Sequence, residues 1–446
     1  MPMDTQLRKI NMIVLLFVCL LLSGCHRVRI ERERSHVATL TQEKLGYTVP
    51  PSFSCSLENM IQKGISRDDA IRIALLNNPA LQADFESIGI AKADFVQAGL
   101  FTNPTVEAGW WFPIKAEATQ FGVSVGFALN DLWQIPLRKR VFKDQLDVAV
   151  LKVLSSVRTL ISSVIYAYDT VLYIQEALKN SRIILSYIKK LKEDMQQREK
   201  FGLTTQADIA TVDAAQGERE VELLKLKSTL IHQSIELRYL LGFSPSCKFV
   251  LTDRLYPLCK DIPPVQELEC WALQTRPEVL IAQMNVKVQE DLVALERGQR
   301  IKAVGVGVSY ARDFDTSTGI GPSIQGSVPL FDDNQAQIDK AEFLLKKAQK
   351  ELCMEQSRVI KEVHQAYEVV KSIQRQINRY TTKILPLHKK IVGFALEFTP
   401  AMQVTIPTLL QNRIAHYEAK KSLLALKFEF AKAWTDLEKA VSKRIC

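Results

Sequence analysis

Between Arg138 and Phe201 the chain runs for 64 residues without a glycine or a proline, and from Asp333 to Leu385 it does so again. Nothing in such a stretch stops a helix, and at ~1.5 Å per residue the first would be a rod of roughly 95 Å. Helices of that length do not pack into ordinary domains of roughly 150 residues. Val150, Leu154, Val157, Ile161, Val164, Tyr168 and Val171 step by four and three, the spacing of a coiled-coil seam. Val153, Leu160, Ala167 and Ile174, with Leu151, Ile165 and Leu172, lie off that stripe. A helix apolar on two flanks needs two neighbours, which fits a curved wall of helices and also a plain helical bundle.

The chain is duplicated. Asn78-Pro79 opens one helical run and Arg276-Pro277 opens another 198 residues later. Asn103 to Phe112 followed by Gln120 to Phe127, and Val304 to Tyr310 followed by Gly321 to Val328, alternate small or polar with apolar residues. Each pair reads as one β-hairpin per half. A returning helix follows each rod, Asp208 to Leu241 in the first half and Leu409 to Lys443 in the second.

The hairpins separate the wall from the bundle. Strands of this length match the ~9–11 residues that cross an outer membrane. Four strands cannot close, and an open sheet in hydrocarbon leaves backbone N–H and C=O groups unsatisfied, so further copies must complete it. Three copies give twelve strands, an even number, and the same symmetry gathers the helices into one tube. The expectation is a mainly α chain with a small β part, whose duplicated helix and hairpin repeats form a trimeric 12-stranded outer-membrane β-barrel continued by a periplasmic α-helical barrel. Trp110, Trp111, Phe112 and Trp133 flank the first hairpin, either as an interfacial belt or as packing at the strand-to-helix junction.

Arg8 and Lys9, an apolar run from Ile13 to Leu22, and Ser23-Gly24-Cys25 make a secretory signal too short to span a bilayer. Leu21 to Cys25 also resembles a bacterial lipobox, which makes Cys25 a lipid-attachment site, the competing reading being an ordinary signal peptide that ends near a cysteine; by the sorting rule of such lipoproteins, His26 in place of an aspartate favours the outer membrane. Of the other cysteines, Cys247, Cys259 and Cys270 sit in one connector, as a disulfide among them or as thiols. There is no Cys-x-x-Cys and the six histidines lack ligand spacing, so no metal site and no cofactor beyond the lipid on Cys25 is expected. The net charge of +9 is spread with mixed signs, unlike a nucleic-acid stripe. Ser, His and acidic residues converge in no catalytic motif, and no Gly-rich phosphate loop is present, so no enzyme is expected.

Arg67 to Leu81, Gln97 to Pro104, and the two strand exits Leu132-Trp-Gln-Ile-Pro-Leu-Arg-Lys-Arg140 and Val328-Pro-Leu-Phe-Asp-Asp-Asn-Gln335 resemble the TolC-type outer-membrane factor family over nearly all of residues 66–441. The resemblance is to the lipoprotein branch associated with heavy-metal and cation efflux, whose motifs drug exporters largely share. It implies a homotrimeric, passive, gated export conduit in outer-membrane lipid, docked to a periplasmic adaptor protein and an inner-membrane efflux pump. It divides the chain into a signal peptide (1–24), a lipidated segment (25–66), a first efflux repeat (67–245, hairpin about 103–130), a connector (246–266) and a second repeat (267–443, hairpin about 301–330).

Phe201-Gly-Leu-Thr-Thr-Gln-Ala-Asp208 is similar to the family's tip turn, which assigns Gly202, Leu203, Thr204, Thr205 and Gln206 to adaptor contact; a plain connector is the competing reading. Gly202 suits the left-handed end of a helix, and Thr204 or Thr205 can cap the next. The second turn departs from the family: Met402 stands where a glycine is expected, and Thr408 and Gln411 stand where some relatives carry aperture aspartates. Asp208 and Asp213 of the first repeat either face the lumen or lie on a solvated helix face. A structural or adaptor-like periplasmic coiled-coil lipoprotein without a pore is the alternative function.

Overall fold

The computed structural model describes residues 28–47, 64–112, 114, 119–255, 262–301, 303–398 and 406–445. The signal, Cys25, His26, Cys259 and the second turn around Met402 lie outside them. The chain divides into two compact units. One comprises Met1–Ser35, Glu86–Ala149 and Glu290–Glu342; the other comprises His36–Phe85, Val150–Gln289 and Phe343–Cys446.

A short helix, α1 (Glu31–Leu40), precedes the repeats. The first repeat then runs α2 (Arg67–Asn77), α3 (Pro79–Ala98), β1 (Thr105–Trp111), β2 (Gln120–Ala128), α4 (Asp131–Glu199) and α5 (Gln206–Leu240). The second runs α6 (Val265–Thr275), α7 (Pro277–Gly298), β3 (Val304–Arg312), β4 (Thr318–Gly326), α8 (Gln335–Arg379), α9 (Leu385–Phe398) and α10 (Ile406–Val441). The starts of α2, α3 and β2 recur 198 residues later in α6, α7 and β4, so the duplication holds element by element. Local chemistry sets the boundaries. Ser66 and Asp69 form a reciprocal capping box at the start of α2. Both α2 and α6 stop where the next residue but one is a proline, because the residue before proline is driven out of the helical region.

Two boundaries differ from the sequence expectation. α4 begins at Asp131, not Arg138, with Pro136 inside its second turn. The carbonyl that loses its partner there belongs to Leu132, an exposed residue that water can reach. In the second repeat, Pro386 and Gly393 do not interrupt the helix. A π turn over Tyr380–Ile384 absorbs the proline, with the Leu385 N–H reaching back to the Tyr380 carbonyl, and α9 continues through both residues.

The unit that holds most of the long helices carries the core. Val150, Leu154, Val157, Ile161, Val164, Tyr168 and Val171 are all buried, and so are Val153, Ile165, Ala167, Leu172 and Ile174 of the second flank. α4 is therefore packed on both sides. An 18-residue window of it has a mean hydropathy of 1.7, enough to span a bilayer by composition, yet 56% of that window is buried against the protein itself. Ile184, Ile188, Met195, Val212, Leu410 and Tyr417 form one cluster toward the end of α4, and Leu268, Val363, Val370, Phe430 and Trp434 belong to another.

Charge also enters this core. Arg158, with its side chain 7% exposed, pairs with Glu278 and donates to Ser442 Oγ (2.7 Å) and the Lys439 carbonyl (3.2 Å). Arg276 Nη1 joins Glu362 to the same group (2.5 Å). Burial pushes the Tyr168 hydroxyl up to about 12, which keeps it a donor to the Ile65 carbonyl (2.9 Å).

Candidate channel wall and docking turn

The four strands form one antiparallel sheet in the order β1-β2-β3-β4, the two hairpins joining through β2 and β3. Side chains alternate between faces along each strand, so the register sorts them. One face carries the rows Val106, Val125, Val308, Pro322 and Ala108, Val123, Tyr310, Ile320, with Phe127, Val306 and Ile324 below. It is apolar almost throughout and open, Ile320 and Ile324 being 78% and 82% exposed. The opposite face carries Glu107, Ser124, Ser309, Gly321 and then Gly109, Gly122, Ala311, Gly319. β1 and β4 are the sheet's edges and pair with no further strand among the described residues.

The four aromatic residues at the first hairpin do not act together. Trp110 lies on the apolar face against Phe121, with ring centroids 5.0 Å apart. Trp111 lies on the other face. Its six-membered ring comes within 2.6 to 3.0 Å of where a Cβ on Gly109 would stand, and within 3.5 Å at Gly122. Only glycine permits that approach at position 109. Trp133 donates its indole N–H to the Gly298 carbonyl (3.1 Å), tying the start of α4 to the end of α7, while Phe112 is exposed.

Each strand-to-helix exit is stapled by an acid or an amide. Asp131 accepts the Thr102 N–H (2.5 Å) and an Arg138 guanidinium N–H (2.9 Å). Burial raises its pKa, but the Thr102 N–H and Arg138 outweigh that, and the net shift is downward. At the second exit Asn334 takes a left-handed conformation (φ 68°) and donates from Nδ2 to the Glu296 carbonyl (2.9 Å) and carboxylate (2.7 Å). An asparagine tolerates that conformation, which accounts for the Asp-Asp-Asn run after the strand.

In the helical unit, the turn after α4 is a Schellman motif. Gly202 has φ 67°, its N–H reaches the Glu199 carbonyl (2.9 Å), and the Leu203 N–H reaches that of Arg198 (3.0 Å). Thr205, rather than Thr204, caps α5. Its hydroxyl accepts the Asp208 N–H (3.2 Å) while the Asp208 carboxylate accepts the Thr205 N–H (3.2 Å). The Thr205 hydroxyl and backbone donors hold Asp208 below the usual carboxylate range. Phe201 and Leu203 point outward at 78% and 59% exposure, an apolar tip. Of the other aperture candidates, Asp213 pairs with Lys192 of α4, and Thr408 and Gln411 are exposed on the first turns of α10.

Among the described residues no group of three or more His, Cys, Asp or Glu is placed to hold a metal ion. Cys247, Cys270 and Cys353 are thiols. Sequence patterning missed Glu107, because its exposure on the polar face follows from the register, and Arg158, because its partners lie far along the chain.

No known family model matches the sequence, and neither does any curated protein. Solved structures do. CusC, described for its transmembrane channel formation, superposes with a TM-score of 0.70 at 16% identity over 89% of this chain and 98% of its own. The chain has the TolC-type outer-membrane channel fold. The outer membrane protein VceC of Vibrio cholerae gives 0.69 at 15% identity, covering 84% of this chain and 96% of its own. The CmeC outer membrane channel of Campylobacter jejuni gives 0.71 at 15% identity, covering 91% of each. With that coverage both repeats take part in the likeness, and the single-chain fold of duplicated long helices and β-hairpins expected from the sequence is present.

Proposed function

We propose that the protein is the outer-membrane conduit of a tripartite efflux system, a passive homotrimeric pore for metal cations or drugs. The observation that carries this is the two-faced sheet with open edges. Its apolar face belongs in lipid, and its small, polar face belongs in a water-filled lumen. β1 and β4 run in opposite directions at opposite edges, so β4 of one copy pairs antiparallel with β1 of the next, and three copies close a twelve-stranded barrel without leaving backbone groups in hydrocarbon.

The remaining assignments follow from that placement. The hairpin turns face outward and the helices enter the periplasm. The turn at Gly202, Leu203, Thr204, Thr205 and Gln206 meets a periplasmic adaptor, which links the pore to an inner-membrane pump, and the exposed Phe201 and Leu203 support a docking role. Asp208, Asp213, Thr408 and Gln411 sit beside this end as aperture candidates. Cys25 carries the lipid that helps to hold the chain at the outer membrane. Energy coupling resides in the pump, and no catalytic step is assigned to this chain.

The test is the oligomeric mass and heat-modifiability of the detergent-extracted protein, followed by single-channel conductance in a planar bilayer. A heat-modifiable trimer with a gated conductance is the expected result. A monomer or dimer released by mild detergent, without conductance, would leave the pore-free coiled-coil lipoprotein instead.

A further inference from the structure

We infer that the lumen face of the first hairpin is a binding site for aromatic organic cations, built from the Trp111 indole and the Glu107 carboxylate. The inference rests on the conduit reading and names a cargo class for it.

Three observations converge on this face. Of the strand residues that alternation places there, Glu107 alone is charged; its row continues through Ser124, Ser309 and Gly321, with no cation to neutralise it. Trp111 is the large apolar side chain that the register places on the same face. It lies flat over Gly109 and Gly122, reaching back along the strand toward Glu107, with one residue of that face, Gly109 itself, between them. Two paired glycines form the floor that lets a bulky ring lie down, and the ring is left 53% exposed.

A face of indole attracts a cation through its quadrupole, and tryptophan does so best among the aromatics. A carboxylate four residues away on one strand stands about 13 Å off at its Cα. The recumbent ring shortens that gap to the span of a molecule of several rings. A cargo with an aromatic body and a delocalised positive charge therefore stacks on Trp111 and places its charge toward Glu107. A small hydrated metal ion reaches the carboxylate but makes no use of the indole, and an anion is repelled.

Tetraphenylphosphonium is the probe, titrated calorimetrically into the full-length, detergent-extracted protein against a detergent blank. Trp111→Ala and Glu107→Gln each weaken its binding by roughly tenfold, the scale of one cation–π or charge contact, while Trp111→Phe retains most of it. Each of the three variants still forms a heat-modifiable trimer of wild-type mass, which excludes misassembly. Wild-type affinity in either Trp111→Ala or Glu107→Gln, in a protein that still forms a conducting trimer, overturns the site and leaves the conduit standing. A chain that neither trimerises nor conducts overturns both.

Discussion

Placing an arginine on one face of the sheet or the other distinguishes a lipid-embedded wall from a soluble sheet. Val125 and Ser124 are neighbours near the middle of β2, on opposite faces. Nine residues at about 3.3 Å each, tilted as barrel strands are, cover roughly the ~25 Å apolar band, so both positions lie near the membrane midplane. Val125→Arg puts a guanidinium among Val106, Val308 and Val123 on the lipid face. That costs ~2–4 kcal/mol per copy, or ~6–12 kcal/mol for three. On the folding equilibrium of each copy this is roughly 30- to 700-fold. Ser124→Arg instead enters the lumen opposite Glu107, where water and the carboxylate receive it. The assay is the fraction of heat-modifiable trimer in the outer-membrane fraction and the temperature at which it dissociates. Val125→Arg is expected to abolish or sharply lower the trimer, and Ser124→Arg to leave it near wild type. Were the sheet soluble, water would bathe both faces and each substitution would fall within about 0.5 kcal/mol. Equal tolerance of the two, or a greater loss from Ser124→Arg, would refute the lipid-facing assignment.

Four further outcomes are expected. Arg158→Ala leaves Glu278 to Arg276 and Ser155 alone and removes the donors to Ser442 and Lys439, lowering stability by about 1.5–3 kcal/mol, read by thermal unfolding of the extracted protein, and Arg158→Lys does not restore the paired geometry. Asp131 has a folded-state pKa below its unfolded value, so its contribution is fully present above the usual carboxylate range and is lost as pH falls through the depressed pKa; Asp131→Asn flattens that part of an acid-unfolding profile. Thr205→Ala removes one half of the capping box and destabilises the start of α5 by about 1 kcal/mol, seen as faster amide exchange over its first turn. Cys25→Ser yields a protein without acyl chains by mass spectrometry; a variant that stayed acylated and equally membrane-bound would remove the lipid assignment.

What could be read from the sequence depended on how local the determining interaction was. The α4 seam was legible because a four-three spacing states its own period, and all seven residues are buried. The Gly202 turn was legible because glycine answers a backbone requirement within a few residues. The helix starts were less so: Pro136 reads as a boundary although the carbonyl it deprives of a partner belongs to an exposed residue, Leu132, and the π turn before Pro386 leaves no mark in residue types. Arg158 lies within a stretch otherwise readable as apolar, and only the fold brings up Glu278, 120 residues away.

The sheet is the instructive middle case. Period-two alternation in each hairpin was visible, but the face that Glu107 and Trp111 occupy became defined only with the pairing of β2 and β3, strands drawn from different repeats. That register is nonetheless specified by the residues themselves. With Val125 opposite Val308 and Ser124 opposite Ser309, the β2–β3 pairs from Gly122 with Ala311 to Phe127 with Val306 are by turns both apolar and both small, and Arg312 enters only at the rim. A slip of one residue would set Val308 beside Ser124 and Ser309 beside Val123, putting the serines and glycines of the second hairpin on the apolar face. In hydrocarbon that mixture is heavily penalised, so a lipid-embedded wall would enforce a register that water leaves only weakly determined. The same alternation that keeps one face apolar therefore holds Glu107 and Trp111 on the other, and the proposed site and the proposed barrel wall are two consequences of one pairing.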